Sequence, residues 1–245
     1  MYDSDVSRPI KEIITNYLVS NYVGDCNDCD IIILPGEQPM DIPILYNANK
    51  IGKNTKVHCF FNILSDELNH GRREDKIRYY NAMIRKNIKI ETNDADFAND
   101  SIIINFNDVR DFRPNNGNYK LVYVDTNKQY DSCFAYWLCA ISKVVPVGGR
   151  VIFNFTMNRY DIGIATLNAS DETDCVFRYC NLATKNSIDN SKKHTAMMAN
   201  NLIDTVSRLT DYRYKAECLI GYCNKKEAGK KQVTPMGIVI LEKTK

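Results

Sequence analysis

The chain has no apolar run approaching the roughly 20 residues that cross a bilayer. Its opening residues, Met1-Tyr2-Asp3-Ser4-Asp5, lack the basic and apolar regions of a secretory leader. The expectation is an intracellular, cytoplasmic protein with no membrane partner. Charge of one sign is also missing: the net charge is +2 over 245 residues, too small to demand a nucleic-acid partner. Nor is there a disulfide framework. The nine cysteines are irregularly spaced in a chain that is 44% hydrophobic and has core enough without bridges, so reduced thiols are expected. Cys26-Asn27-Asp28-Cys29 is the only CxxC. A zinc ion there would need two more ligands, which only tertiary accident could bring from Cys218 and Cys223 or from His58 and Cys59, and no metal is expected. No internal repeat, low-complexity linker or domain boundary is visible, which implies a single domain over residues 1–245. A phosphate-cradling GxGxxG is absent too. Leu34-Pro35-Gly36-Glu37-Gln38-Pro39 would repel a pyrophosphate, which argues against a nicotinamide-dependent oxidoreductase.

What is present is an alternation of short apolar runs with helical segments, the pattern of an α/β sheet rather than a sandwich. Residues 9–19 predict a helix with Ile10, Ile13, Ile14, Tyr17 and Leu18 on one face. Strands are expected at 30–34, 56–61, 88–90, 101–106, 121–124 and 150–155, with a charged amphipathic helix within 65–86 and an apolar helix over 134–145. A helix near 195–209 and two closing strands, 213–222 and 237–241, complete the order. The last two are joined by a lysine-rich loop and read as a terminal hairpin. Basic pairs at Arg72-Arg73, Lys192-Lys193, Lys225-Lys226 and Lys230-Lys231 are candidates for phosphate contact, against the plainer reading of solvated loops.

The stretch with most to say is Gly148-Gly149-Arg150-Val151-Ile152-Phe153-Asn154-Phe155, a double-glycine turn feeding an apolar strand with one amide near its far end. In open α/β sheets ligands collect beyond the carboxyl ends of parallel strands, so Asn154 stands where chemistry would be placed. Three charged residues join it. Lys11 lies in the helix before the first strand, Asp125 ends Leu121-Val122-Tyr123-Val124-Asp125, and Glu217 lies within Lys215-Ala216-Glu217-Cys218-Leu219-Ile220-Gly221. Buried among apolar neighbours, Glu217 needs a cation, and Lys11 is the natural one. With this order of elements, the four positions resemble the Lys-Asp-Lys-Glu tetrad of FtsJ-type ribose 2'-O-methyltransferases, including those that end nidovirus replicases. The resemblance covers nearly the whole chain, with Asn154 at the place of the family's second lysine.

The resemblance implies a Rossmann-like S-adenosylmethionine methyltransferase fold, a mostly parallel sheet with a terminal antiparallel hairpin. It implies S-adenosylmethionine as cofactor, capped viral RNA as substrate and association with other replicase proteins in the host cytoplasm. In the loop after the first strand Gly36 would give the tight turn, and Glu37 or Asp41 would meet the cationic amino-acid end of the cofactor. Asn62 stands where an acidic residue commonly holds the ribose hydroxyls. Asp94, after the expected third strand, matches the position that binds the adenine amine, and Asp125 borders the same cleft. A ribose hydroxyl is a poor nucleophile, and Asn154 is no base. Three readings follow. Lys11 alone, oriented by Asp125 and Glu217, serves as base while Asn154 bonds the ribose; or the target is a ring nitrogen such as cap guanine N7, which carries no proton; or the fold is a degenerate methyltransferase that binds RNA or a protein partner. The first is the reading taken forward.

Overall fold

The computed structural model describes residues 8–35, 39–61, 73–157, 176–180, 185–223 and 235–245. Gly36, Glu37 and Asn62, the 65–72 portion of the expected charged helix, and the Lys225-Lys226 and Lys230-Lys231 pairs lie outside them. The chain divides into two compact units, Met1–Phe112 with Gly117–Leu121, and Arg113–Asn116 with Val122–Lys245.

The first unit holds helix α1 (Arg8–Tyr22), strand β1 (Asp30–Ile33), helix α2 (Asp41–Asn47), strand β2 (Lys56–Phe60), helix α3 (Arg73–Thr92) and strand β3 (Ile102–Asn105). Its strands are parallel, with β2 between β1 and β3: Ile31 faces Val57, which faces Ile102. Ile31, Ile32 and Ile33 are all fully buried. Consecutive burial is what a parallel strand covered on both faces requires, and it explains why β1 reads as an unbroken apolar run. On α1 the period of 3.6 buries Ile10, Ile14 and Leu18 together with Lys11 and Thr15, whereas Ile13 is 64% exposed and leaves the expected core face.

Two expectations fail in this unit. The strand at 88–90 does not exist, because α3 runs through it to Thr92. Ile88-Lys89-Ile90 looks alternating over three residues, but Ile84, Ile88 and Thr92 recur every four, and that longer period wins. Helix α2 was not anticipated. Its Pro43 sits in the first turn, where the missing N–H costs nothing, and Ile42 and Leu45 supply its buried side.

The second unit contains most of strand β4 (Tyr119–Gln129, which opens in the first unit), helix α4 (Cys133–Ile141), strands β5 (Arg150–Thr156) and β6 (Val176–Cys180), helix α5 (Lys185–Leu209), and strands β7 (Tyr214–Cys223) and β8 (Pro235–Lys243). The order is β4-β5-β8-β7-β6. Strand β8 runs antiparallel to both β5 and β7, and β6 runs parallel to β7. The sheet is therefore mixed α/β with parallel strands and a terminal antiparallel hairpin, as expected. Strand β6 was not foreseen and α5 starts ten residues earlier than expected, so Lys192 and Lys193 sit exposed on a helix rather than in a loop.

Helix α5 lies unusually close to the hairpin. Gly221 on β7 faces Gly237 on β8. A Cβ on Gly221 would stand 1.9 Å from Ser191 Oγ, and one on Gly237 would stand 2.5 Å from Thr195 Cγ2. The paired glycines are a slot cut for the helix. Helix α4 covers the same face through Phe134 and Trp137, whose rings meet Phe153 of β5 at 6.0 and 6.4 Å. The turn into β5 uses Gly148 at φ 81°, a left-handed conformation that glycine adopts without strain.

Candidate functional site

Strand alternation sets the second unit's polar cluster. Asn154 on β5 faces Ile238 on β8, which faces Ile220 on β7, so these three side chains share the sheet face opposite α4 and α5. Tyr222, two residues beyond Ile220, shares that face. Asn154 is 2% exposed. Its Nδ2 donates to Asp125 Oδ1 at 2.8 Å and to Tyr222 Oη at 2.8 Å. Its Oδ1 is buried and meets no hydrogen-bond partner among the described residues. A buried amide oxygen left in that condition costs roughly 1–3 kcal/mol. Asp125 lies within β4 rather than at its end, because the strand continues to Gln129.

Glu217 is elsewhere. The β7–β8 register shifts between Ala216 and Cys218, so Glu217 is the extra residue of a β-bulge. Its Oε2 lies 2.6 Å from Arg150 Nε, close enough for strong attraction although the pair is not aligned as a hydrogen bond. Arg150 Nη1 also reaches Glu242 Oε1 at 3.4 Å, and Lys215 Nζ reaches Glu242 Oε2 at 2.8 Å. Arg150 precedes Asn154 by four residues, about 13 Å along the strand. The cation that Glu217 finds is therefore Arg150 at the start of β5, and the structure does not bring Glu217 to Asn154. Burial, and a hydrogen bond shared with Glu242, hold the Glu217 carboxyl above its ordinary range, while Lys215 holds Glu242 below.

In the first unit Lys11 is 7% exposed and Asp41 is 5% exposed. Thr15, one turn after Lys11 on α1, donates through Oγ1 to Asp41 Oδ1 at 2.9 Å. Lys11 is thus buried and engaged rather than a surface lysine. Asp41 opens α2 just beyond the exit of β1, which gives the carboxyl side of the parallel strands a buried anionic group. A carboxylate there fits the ammonium or sulfonium of S-adenosylmethionine by charge. Asp94 does not fit the adenine position. It precedes β3 instead of following it, because the segment before it is the end of a helix and not a strand. Its Oδ1 accepts from the backbone N–H of Asp96 and of Phe97 at 3.0 Å, and its Oδ2 accepts from Tyr46 Oη at 2.8 Å. The Phe97 amide and the Tyr46 hydroxyl hold the Asp94 carboxyl below the usual carboxylate range.

Tyr222 and Thr15 are the two polar partners that sequence reasoning passed over. Tyr222 had a signal, the alternation that puts it on Ile220's side of β7, but its meeting with Asn154 depends on a strand order that no local pattern reveals.

No protein-family model matches the chain, and no curated protein sequence matches it. Among solved structures it is similar to an rRNA methylase from Streptococcus thermophilus, at TM-score 0.40 and 14% identity over 100% of this chain and 99% of that one. It is similar also to a candidate rRNA methylase from Clostridium thermocellum, at TM-score 0.45 and 10% identity over 95% and 94%. A candidate transferase from Pyrococcus horikoshii gives TM-score 0.46 and 10% identity over 96% of this chain, which spans 63% of that protein's length. Among the described residues no helix is long and apolar enough to cross a membrane.

Proposed function

We propose that this chain is an S-adenosylmethionine-dependent methyltransferase that modifies a ribose 2'-hydroxyl of RNA, at the cap of a viral transcript, in company with other replicase proteins. The observation that carries the reading is the Asp125–Asn154 pair, in which a half-buried carboxylate meets a buried amide. A carboxylate and an amide held together at 2.8 Å, on a sheet face that also carries Ile220 and Ile238, form a hydrogen-bonding device, where packing alone would favour an aliphatic side chain at the buried position 154. The residue pattern that resembles the 2'-O-methyltransferases supplies the chemistry that the device would serve.

When bound, the cofactor supplies a methyl group on a sulfonium, so displacement needs an aligned nucleophile and one proton acceptor. Asp41 would hold the cationic amino-acid end. Asp125 and Asn154 would fix the ribose by hydrogen bonds. In this reading Lys11, as the neutral amine, takes the hydroxyl proton. The oxygen forms its new bond to the methyl carbon as the carbon–sulfur bond breaks with its electron pair on sulfur.

Calorimetry with S-adenosylmethionine is expected to show saturable binding by the full chain, and no detectable heat at millimolar cofactor would sink the proposal. Nucleosides digested from RNA treated with enzyme and cofactor should contain 2'-O-methylated ribose by mass analysis; N7-methylguanosine alone would place the chain in a different chemistry. Lys11→Ala should lower the rate by about 100-fold or more, the scale of a lost general base, with circular dichroism unchanged. Retained activity would remove Lys11 from the role of base.

A further inference from the structure

The two bonds made by Asn154 Nδ2 fix which way round its amide stands. A carboxylate accepts hydrogen bonds and does not donate them, so the atom facing Asp125 must be the nitrogen. The second N–H of the same nitrogen is taken by Tyr222 Oη, again at 2.8 Å. With both hydrogens anchored on different strands, β4 and β7, the amide plane has no freedom to rotate, and Oδ1 is left as the only unengaged polar atom of the side chain. That atom is an acceptor, so whatever satisfies it must bring a hydrogen. A hydroxyl does so, whereas a ring nitrogen that attacks through its lone pair does not.

We infer that Tyr222 is a positioning residue: it holds the Asn154 amide so that Oδ1 accepts a hydrogen bond from the hydroxyl as it docks, a bond given up when the hydrogen turns to the base, and so selects hydroxyl nucleophiles over ring nitrogens. The inference rests on the proposed ribose methylation for its substrate and on the Asp125–Asn154–Tyr222 geometry, with the amide and the phenol buried, for its mechanism. Tyr222 is 1% exposed, so its ring also packs, and the test must separate the hydroxyl from the ring.

Tyr222→Phe makes that separation, and two measurements on the full chain read it without cofactor. In the wild type, with asparagine labelled in nitrogen-15, the Asn154 side-chain amide, assigned by its loss in Asn154→Ala, should exchange its hydrogens slowly with solvent. In Tyr222→Phe that exchange should quicken. Second, a short unmodified RNA should bind the wild type about tenfold more tightly than its 2'-O-methylated counterpart, the worth of one good hydrogen bond. That preference should collapse toward unity in Asn154→Ala and shrink in Tyr222→Phe. The double variant should show no loss beyond that of Asn154→Ala, since Tyr222 acts through Asn154. With cofactor, kcat for Tyr222→Phe should fall about tenfold with little change in KM for RNA.

Unchanged amide exchange together with an unchanged preference in Tyr222→Phe would overturn the inference. So would a Tyr222→Phe effect that adds in full to that of Asn154→Ala. If instead the wild type shows the anchored amide but forms no methylated ribose, the proposed function fails while the anchoring stands.

Discussion

Lys243 puts a cation at the carboxyl end of a helix from a strand distant in sequence. Its Nζ donates to the carbonyls of Ser142 and Val145, both at 2.7 Å, and lies 4.1 Å from the centre of the Tyr212 ring. These carbonyls follow the last turn of α4, where no helical N–H remains to meet them. The expected helix over 134–145 stops at Ile141 for this reason: the lysine captures the next carbonyls and turns the chain toward Gly148. Lys243→Met keeps the stem and deletes both bonds, and should cost roughly 1–3 kcal/mol for each carbonyl stranded in the interior. Urea denaturation should show that loss as a lowered midpoint with unchanged slope; a midpoint equal to wild type would mean that water replaces the ammonium. The same scale shows what the sequence made readable. Asp125 and Asn154 announced themselves as polar residues in apolar runs. Tyr222 did not, because an aromatic residue in a strand is ordinary. Glu217 was visible as a carboxylate that needs a cation, but the bulge that turns it toward Arg150 has no signature in Lys215-Ala216-Glu217-Cys218.

At the scale of elements, the contact between α5 and the β7–β8 hairpin is governed by a missing pair of side chains. Gly221 and Gly237 are register partners, and Ser191 and Thr195 are one turn apart on the helix, so two small residues on each side mesh. Gly221→Ala would set a methyl 1.9 Å from the Ser191 oxygen, so the helix or the hairpin must move. Overpacking of this kind typically costs about 1–3 kcal/mol. The loss should appear in thermal melting of Gly221→Ala and be relieved in part by Ser191→Gly in the same chain; full additivity of the two changes would deny the contact. Long, periodic elements were legible: α1, β1, β2, β5, β7 and β8 fall within a few residues of their expected places. The failures share a cause. Ile88-Lys89-Ile90 offered only three residues of alternation inside a helix of 20, and α2 is a seven-residue helix with a proline in its first turn. Strand β6 has a β-rich composition in Val-Phe-Arg-Tyr-Cys, yet Val176 and Tyr179 are 53% and 60% exposed, so it lacks the one-sided burial that marks a strand in sequence.

At the scale of the molecule, each unit has buried residues of its own. In the first, His58 lies between Phe112 and Tyr119, with ring centroids at 5.5 and 5.4 Å, and burial among them lowers its pKa from the ordinary 6.5, with Lys56 adding and Asp30 opposing. The fold therefore prefers the neutral imidazole. Above 6.5 both folded and unfolded forms are neutral and nothing is lost; as pH falls below it, the unfolded chain takes up a proton that the fold resists, and stability declines until His58 is protonated in place. Between about pH 7.5 and about pH 5.5 the wild type should thus lose more of its urea midpoint than His58→Gln does. Equal losses would show that His58 does not titrate in this window. The second unit has a different dependence, set by order of synthesis. Strand β8 is the last of its strands to be made, yet it stands between β5 and β7 and pairs with both. Until residues 235–243 leave the ribosome, the two strands that carry Asn154 and Tyr222 share no ladder, and their backbone edges stay open to other chains. The hydrogen bond between Asn154 and Tyr222 therefore forms only after translation has passed both strands, when β8 has come between them.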